Sequence, residues 1–179
     1  SKTLHSPIPC SFSVILYLLT PNTPAPHAKL VSVLNICLTW ESEVIRKHAT
    51  DAYLNNTVIF NTCAVTSEAE KQARQAIRKI KREQPNKQII VTGCAAQINP
   101  EKWNTMSEVD CVIGNQEKLL ADSWQRLRNN QLSGIEVNNI SKVKETASHM
   151  IDSFEDHTRG FLQIQQGCNH RCSFCIIPY

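Results

Sequence analysis

The stretch TVIFNTCAVTSEAEKQARQAIRKIKREQPNKQIIVTGCAAQ, residues 57–97, decides the fold. It opens on a β-branched and aromatic run, residues 57–61, with the composition of a buried strand. Residues 67–84 then place Ala69, Ala73, Ala76, Ile77 and Ile80 at helical spacing. Ser67 and Glu70 read as a capping box and Pro85 as the stop, giving a helix about 27 Å long. Residues 87–93 are a second continuous apolar strand. A strand, a helix and another strand with apolar residues throughout predict a parallel pair with a helical crossover.

The same rhythm extends outward. Residues 29–34 read as a short strand and residues 41–54 as a helix carrying Val44, Ile45 and Ala49 on one side. Asn99 and Pro100 read as an N-cap and first helical position. Residues 109–114 are a further strand. Residues 116–128 read as a helix with Leu119, Leu120, Trp124 and Leu127 inward. The expected class is α/β, a parallel sheet with helices on both faces. Residues 29–130 form that domain, 131–159 a polar linker, and 160–179 one strand and a loop. Residues 1–28 are an atypical leader with an apolar run too short to span a bilayer. It imitates a signal peptide, but the cysteine chemistry below favours an unstructured extension.

The 179 residues carry a net charge of +3, too little to argue for nucleic acid unless the positives are local. They are local in residues 71–87, where Lys71, Arg74, Arg78, Lys79, Lys81, Arg82 and Lys87 face one acid, Glu83. Lys71, Arg74 and Arg78 share a stripe. The stripe suits RNA phosphates, and a solvated helix face is the plainer reading of it.

Eight cysteines in a chain able to bury a core without staples point to a reducing, cytoplasmic setting rather than to disulfides. Cys111 lies mid-strand and reads as core; Cys10 has no evident role. Cys63 and Cys94 each follow a strand and so fall on the carboxyl edge of the sheet, where open α/β sheets bind ligands. Each is also the kind of residue that packs as a small hydrophobe. Cys168, Cys172 and Cys175 are spaced C-x3-C-x2-C within GCNHRCSFCIIPY, residues 167–179. Three thiolates on one [4Fe-4S] cluster leave one iron open. Zinc, with His170 as fourth ligand, is the other option.

That loop, with NTCAVT at residues 61–66 and GCAAQ at residues 93–97, resembles the radical S-adenosylmethionine methylthiotransferases. The wording is nearest the branch acting on N6-threonylcarbamoyladenosine in tRNA. The resemblance spans residues 41–179. It implies that Cys168, Cys172 and Cys175 hold the S-adenosyl-L-methionine-binding cluster, whose reduction generates a 5′-deoxyadenosyl radical. It also implies a second, auxiliary [4Fe-4S] cluster on three cysteines, two of them Cys63 and Cys94, with a second S-adenosylmethionine supplying the methyl group. The expected substrate is tRNA, modified at carbon 2 of the adenine beside the anticodon. The expected partner is a reductant protein; no membrane is involved.

Two departures stand out. In the family a Gly-Cys pair precedes Asn and Tyr-Glu-Ser. Here WESEVIRKHA, residues 40–49, matches the later part, but Asn35 occupies the cysteine position and Cys37 lies two residues further on. Only 19 residues follow Gly160, whereas a barrel of strand–helix units takes about 200 or more. The expectation is therefore an amino-terminal part that is inactive by itself. The isopentenyladenosine and ribosomal-protein branches, and a non-catalytic metal-binding remnant, are the alternatives.

Overall fold

A computed structural model describes residues 29–32, 37–64, 66–139 and 172–173, with the backbone alone for 29–32 and 37–40. Five strands form one parallel sheet in sequence order. They are β1 Lys29–Ser32, β2 Thr57–Thr62, β3 Gln88–Gly93, β4 Cys111–Ile113 and β5 Gly134–Glu136. The helices are α1 Cys37–Asp51, α2 Ser67–Glu83, α3 Cys94–Ile98, α4 Pro100–Asn104 and α5 Ala121–Arg128, with a 3-10 turn at Glu117–Leu119.

The alternation of side chains along β2 and β3 divides the core. Val58 and Phe60 of β2, with Ile89 and Val91 of β3, pack against Ala73, Ile77 and Ile80 of α2, Ala95 and Ala96 of α3, and Trp103 of α4. On the other face Ile59, Ile90, Cys111 and Ile113 meet Ile45 and Ala49 of α1 and Trp124 and Leu127 of α5. Both faces are covered, and this is why the middle of each strand, residues 58–60 and 89–91, is apolar without a break. Cys111 is fully buried, as its mid-strand position implies.

The capping residue of α2 differs from expectation. Thr66, not Ser67, is the N-cap, and its Oγ1 accepts from Ala69 N at 3.2 Å. The frame moves by one residue because the helix already begins at Ser67. Glu70 is thereby released from the cap and pairs with Arg74 and Lys102. Asn99 does cap α4, with Pro100 first in the helix.

Residues 116–128 are not one helix. The chain makes the 3-10 turn, extends at Leu120 and restarts as α5, so Leu120 is exposed while Trp124 and Leu127 are buried. The Trp124 indole N–H donates to Lys118 O at 2.9 Å and ties the two pieces together. The first helix begins earlier than expected, at Cys37.

The largest departure is at residues 131–159. The sheet continues past 130, with β5 paired to β4 and Arg126 bonded to Glu136 at 2.8 Å. A three-residue strand, half-buried throughout, has too few positions to carry an apolar period, which is why its sequence reads as linker. Residues 140–159, the leader, and most of 160–179 lie outside the described residues. Among the described residues no helix is long and apolar enough to cross a membrane.

Candidate metal-binding edge of the sheet

β2 and β3 run side by side, with Asn61 opposite Thr92 and Thr62 opposite Gly93. The next residue on each strand is a cysteine, so Cys63 and Cys94 emerge from neighbouring strands on one edge. Cys63 is buried and Cys94 half-buried. Burial pushes the Cys94 thiol above its usual range, and the nearby Glu41 and Cys63 push the same way. Lys118 and a hydrogen bond from the Asn115 side chain oppose them. The two thiols are thus close enough to influence each other's charge.

Gly93 makes this approach possible. Its φ is +96°, and a Cβ there would fall 2.3 Å from Thr62 O and 2.7 Å from Asn61 Oδ1. Only glycine suits both the left-handed backbone and the contact with β2.

Four polar side chains along this edge and its flank carry atoms that find no partner among the described residues. Both amide atoms of Asn61, Thr92 Oγ1, Ser42 Oγ and Glu117 Oε2 are buried without a hydrogen bond. Buried polar atoms are nearly always paired, so these positions are open to water or to a bound group. The donor set fits a soft metal centre: two thiols on one edge, a buried cation beside them and unfilled polar positions behind them.

The third cysteine of the resemblance, Cys37, is the first residue of α1, and α1 follows β1, the other neighbour of β2. Its side chain is outside the described atoms. Among the described residues no three His, Cys, Asp or Glu side chains gather at metal-binding reach. Of the C-x3-C-x2-C loop, Cys172 is described and exposed; Cys168 and Cys175 lie outside.

The sequence reading misses the polar wall beside Cys94. Lys118 is fully buried, with its Nζ 2.6 Å from Glu41 Oε2 and 2.9 Å from Asn115 Oδ1. Asn115 N donates to Gln97 Oε1 at 2.8 Å, and Gln97 Nε2 donates to Asn138 O at 2.9 Å. Asn138 Nδ2 in turn donates to Glu117 Oε1 at 2.6 Å. The available signal is position: GNQEK, residues 114–118, follows β4 on the same edge as the two cysteines.

The basic stripe on α2 is already paired. Arg74 reaches Glu70 at 2.9 Å, Arg78 reaches Glu108 at 3.8 Å, and Lys71 stands 4.0 Å from Glu68. Lys81 holds Asp110 at 3.2 Å. The acids come from just before residue 71 and from the loop ahead of β4, outside the window that reads as one-sided.

A family model described as Uncharacterized protein family UPF0004 matches residues 39–114. The chain is 56% identical over 140 residues to the threonylcarbamoyladenosine tRNA methylthiotransferase MtaB of Rickettsia prowazekii, covering 78% of this chain and 32% of that protein. It is 41% identical to the protein of the same name from Bacillus subtilis, covering 68% and 27%. To the tRNA-2-methylthio-N(6)-dimethylallyladenosine synthase of Clostridium novyi it is 33% identical, covering 69% and 28%. The chain therefore spans about a third or less of these relatives' lengths. No solved structure matches it. Over the residues these relatives share with it, the chain belongs to the methylthiotransferase family, on the branch of the MtaB proteins.

Proposed function

We propose that the protein to which these residues belong is a cytoplasmic tRNA 2-methylthiotransferase acting on N6-threonylcarbamoyladenosine next to the anticodon. The observation that carries the proposal is the pairing of Cys63 and Cys94 at the carboxyl ends of β2 and β3. The names of the relatives support the substrate. In this reading Cys63 and Cys94, with Cys37, hold the auxiliary [4Fe-4S] cluster, and Cys168, Cys172 and Cys175 hold the one that binds S-adenosyl-L-methionine. When bound, the two clusters supply reductive cleavage of S-adenosylmethionine and a site for sulfur delivery, with electrons from a reductant protein.

The chain's own contribution is placement. Gly93 lets β3 close on β2 so that both thiols share one edge. Asn115 N–H donates to Gln97 of the helix that Cys94 opens, and Lys118 places positive charge along the same edge. Ala95 and Ala96, the buried residues of α3, seat that helix on the core beside β3.

The 179 residues alone are proposed to bind metal without turnover. Anaerobic reconstitution with iron and sulfide should load about eight irons per chain, two clusters' worth. Cys63→Ala with Cys94→Ala should remove about half. Zinc without sulfide would overturn the reading, and so would 5′-deoxyadenosine release by the isolated chain for the claim of inactivity. In a cell lacking threonylcarbamoyladenosine methylthiolation, the complete gene should restore the methylthio nucleoside in digested tRNA. Recovery of the dimethylallyl-type product instead would move the protein to the other branch.

A further inference from the structure

The most unusual charge in the domain is Lys118. An ammonium removed from water needs close partners, and this one has two: the Glu41 carboxylate, 77 positions away in sequence, and Asn115 Oδ1. Ion pairs of this kind seldom add stability over apolar packing, so their presence asks for another reason. The neighbours supply one. Asn115 accepts from Lys118 through its side-chain oxygen and sits in the loop that follows β4, beside the edge where Cys94 follows β3. Its backbone is fixed by Gln97, three residues beyond Cys94. Gly114 is held by contact: a Cβ there would meet Glu117 Oε2 at 2.2 Å and Gln97 Oε1 at 2.9 Å. The Trp124 indole clamps the Lys118 carbonyl. Gly114, Asn115, Glu117 and Lys118 are each bonded to a residue outside this loop.

We propose that residues 114–118 form an outer shell for the Cys63–Cys94 site, with Asn115 tying the loop to α3, the helix that Cys94 opens, and Lys118, held by Glu41, setting the local charge. This rests on the reading of that edge as an iron–sulfur site. Hydrogen bonds to ligating sulfurs and nearby charge are what set the reduction potential of such a centre. One-electron reduction adds negative charge and changes no covalent bond. A cation beside the site therefore raises the potential, and an anion lowers it. Lys118 and Glu41 form one pair of opposite charges, so removing either one alone shifts the local charge in an opposite sense. Lys118 is a positioning and charge-setting residue; it is not placed on substrate.

The test uses the whole 179-residue chain with Cys168→Ala, Cys172→Ala and Cys175→Ala, so that the Cys63–Cys94 site is read alone. Iron and sulfide are counted after anaerobic reconstitution. A dye-mediated dithionite titration, followed by electron paramagnetic resonance, then gives the potential. Lys118→Met should lower the potential and speed iron loss to a chelator by roughly 10- to 100-fold. Glu41→Gln should shift the potential the other way. Arg126→Gln, which removes a cation from the surface of α5, should change neither. A role confined to holding the loop together would move Lys118→Met and Glu41→Gln in the same direction, and that result overturns the proposal. So does an unchanged potential in both. If Lys118→Met alone fails to fold, the double variant with Glu41→Gln removes the pair without stranding a charge. Its potential should lie between those expected for the two single variants. A parent chain that takes up no iron and sulfide overturns the iron–sulfur reading, and this one with it. A parent that loads normally while the variants match it overturns this one alone.

Discussion

At the scale of single residues, Gly93 is the position where the backbone has least choice. Its φ of +96° costs a side-chain-bearing residue about 1–3 kcal/mol, before any clash is counted. The clash is with backbone, Thr62 O and Thr62 N at 2.3 and 2.6 Å, which cannot swing aside. Gly93→Ala should therefore destabilise the domain by at least that amount, read as a lowered urea midpoint at constant slope. An unchanged midpoint would mean that β2 and β3 are not so closely joined. Cys111 gives a second test. Burial holds its thiol up at about 11, against an ordinary 9.0. Below pH 9 both folded and unfolded chains keep the thiol neutral, and its contribution is complete. Between pH 9 and 11 the unfolded chain ionises first, so stability falls as pH rises, by up to about 3 kcal/mol. Cys111→Ala, less stable at neutral pH because of the lost packing, should show a shallower decline over that window. Parallel declines would refute the assignment. Cys63 and Cys94 were legible because a residue directly after a buried strand has a defined place. Lys118 was not: in a run that reads as an amphipathic helix, a lysine is assigned to solvent, and its partner Glu41 is 77 positions away.

At the scale of elements, α2 shows what periodicity reveals and what it hides. Ala69, Ala73, Ile77 and Ile80 are buried as their spacing requires. The cap shifts by one residue because Thr66 and Ser67 are both good N-caps, and spacing alone does not choose between them. The polar face is less legible still, because its carboxylate partners come from other elements as well as from the helix itself. Arg74 shares Glu70 with Lys102 of α4, and Arg78 leans on Glu108. Exposed pairs are each worth under about 1 kcal/mol, so tRNA phosphates could displace them, but the cations do not stand free for the purpose. Arg74→Ala with Arg78→Ala in the full-length protein should accordingly weaken tRNA binding by less than about threefold at physiological salt. A loss beyond tenfold, with the salt slope reduced by about 2, would show that the stripe tracks phosphates after all. β5 illustrates the opposite limit. Three half-buried residues leave no pattern in sequence, and its place is set by pairing with β4.

At the scale of the whole molecule, the sheet converts sequence order into spatial order. Because β1, β2 and β3 are neighbours in sequence order and all parallel, whatever follows each of them arrives at the same edge, one strand spacing apart. Strands lie about 4.8 Å from their neighbours, so positions after β1 and β3 are roughly 10 Å apart, with Cys63 between them. Cys37 fits this scheme as the first residue of α1, the element after β1 in sequence, although ungapped alignment with the family pattern puts Asn35 in the ligand position. Topology and pattern thus disagree by two residues, and the disagreement is measurable. In the chain with Cys168, Cys172 and Cys175 replaced by Ala, Cys37→Ser should reduce reconstituted iron to below half and leave circular dichroism unchanged. Asn35→Ala should have no effect on either. If iron loading is indifferent to Cys37, the edge holds its metal on Cys63 and Cys94 without a third thiol from this side. If Asn35→Ala abolishes loading while Cys37→Ser does not, the family register governs, and the start of α1 serves only as a support for β1.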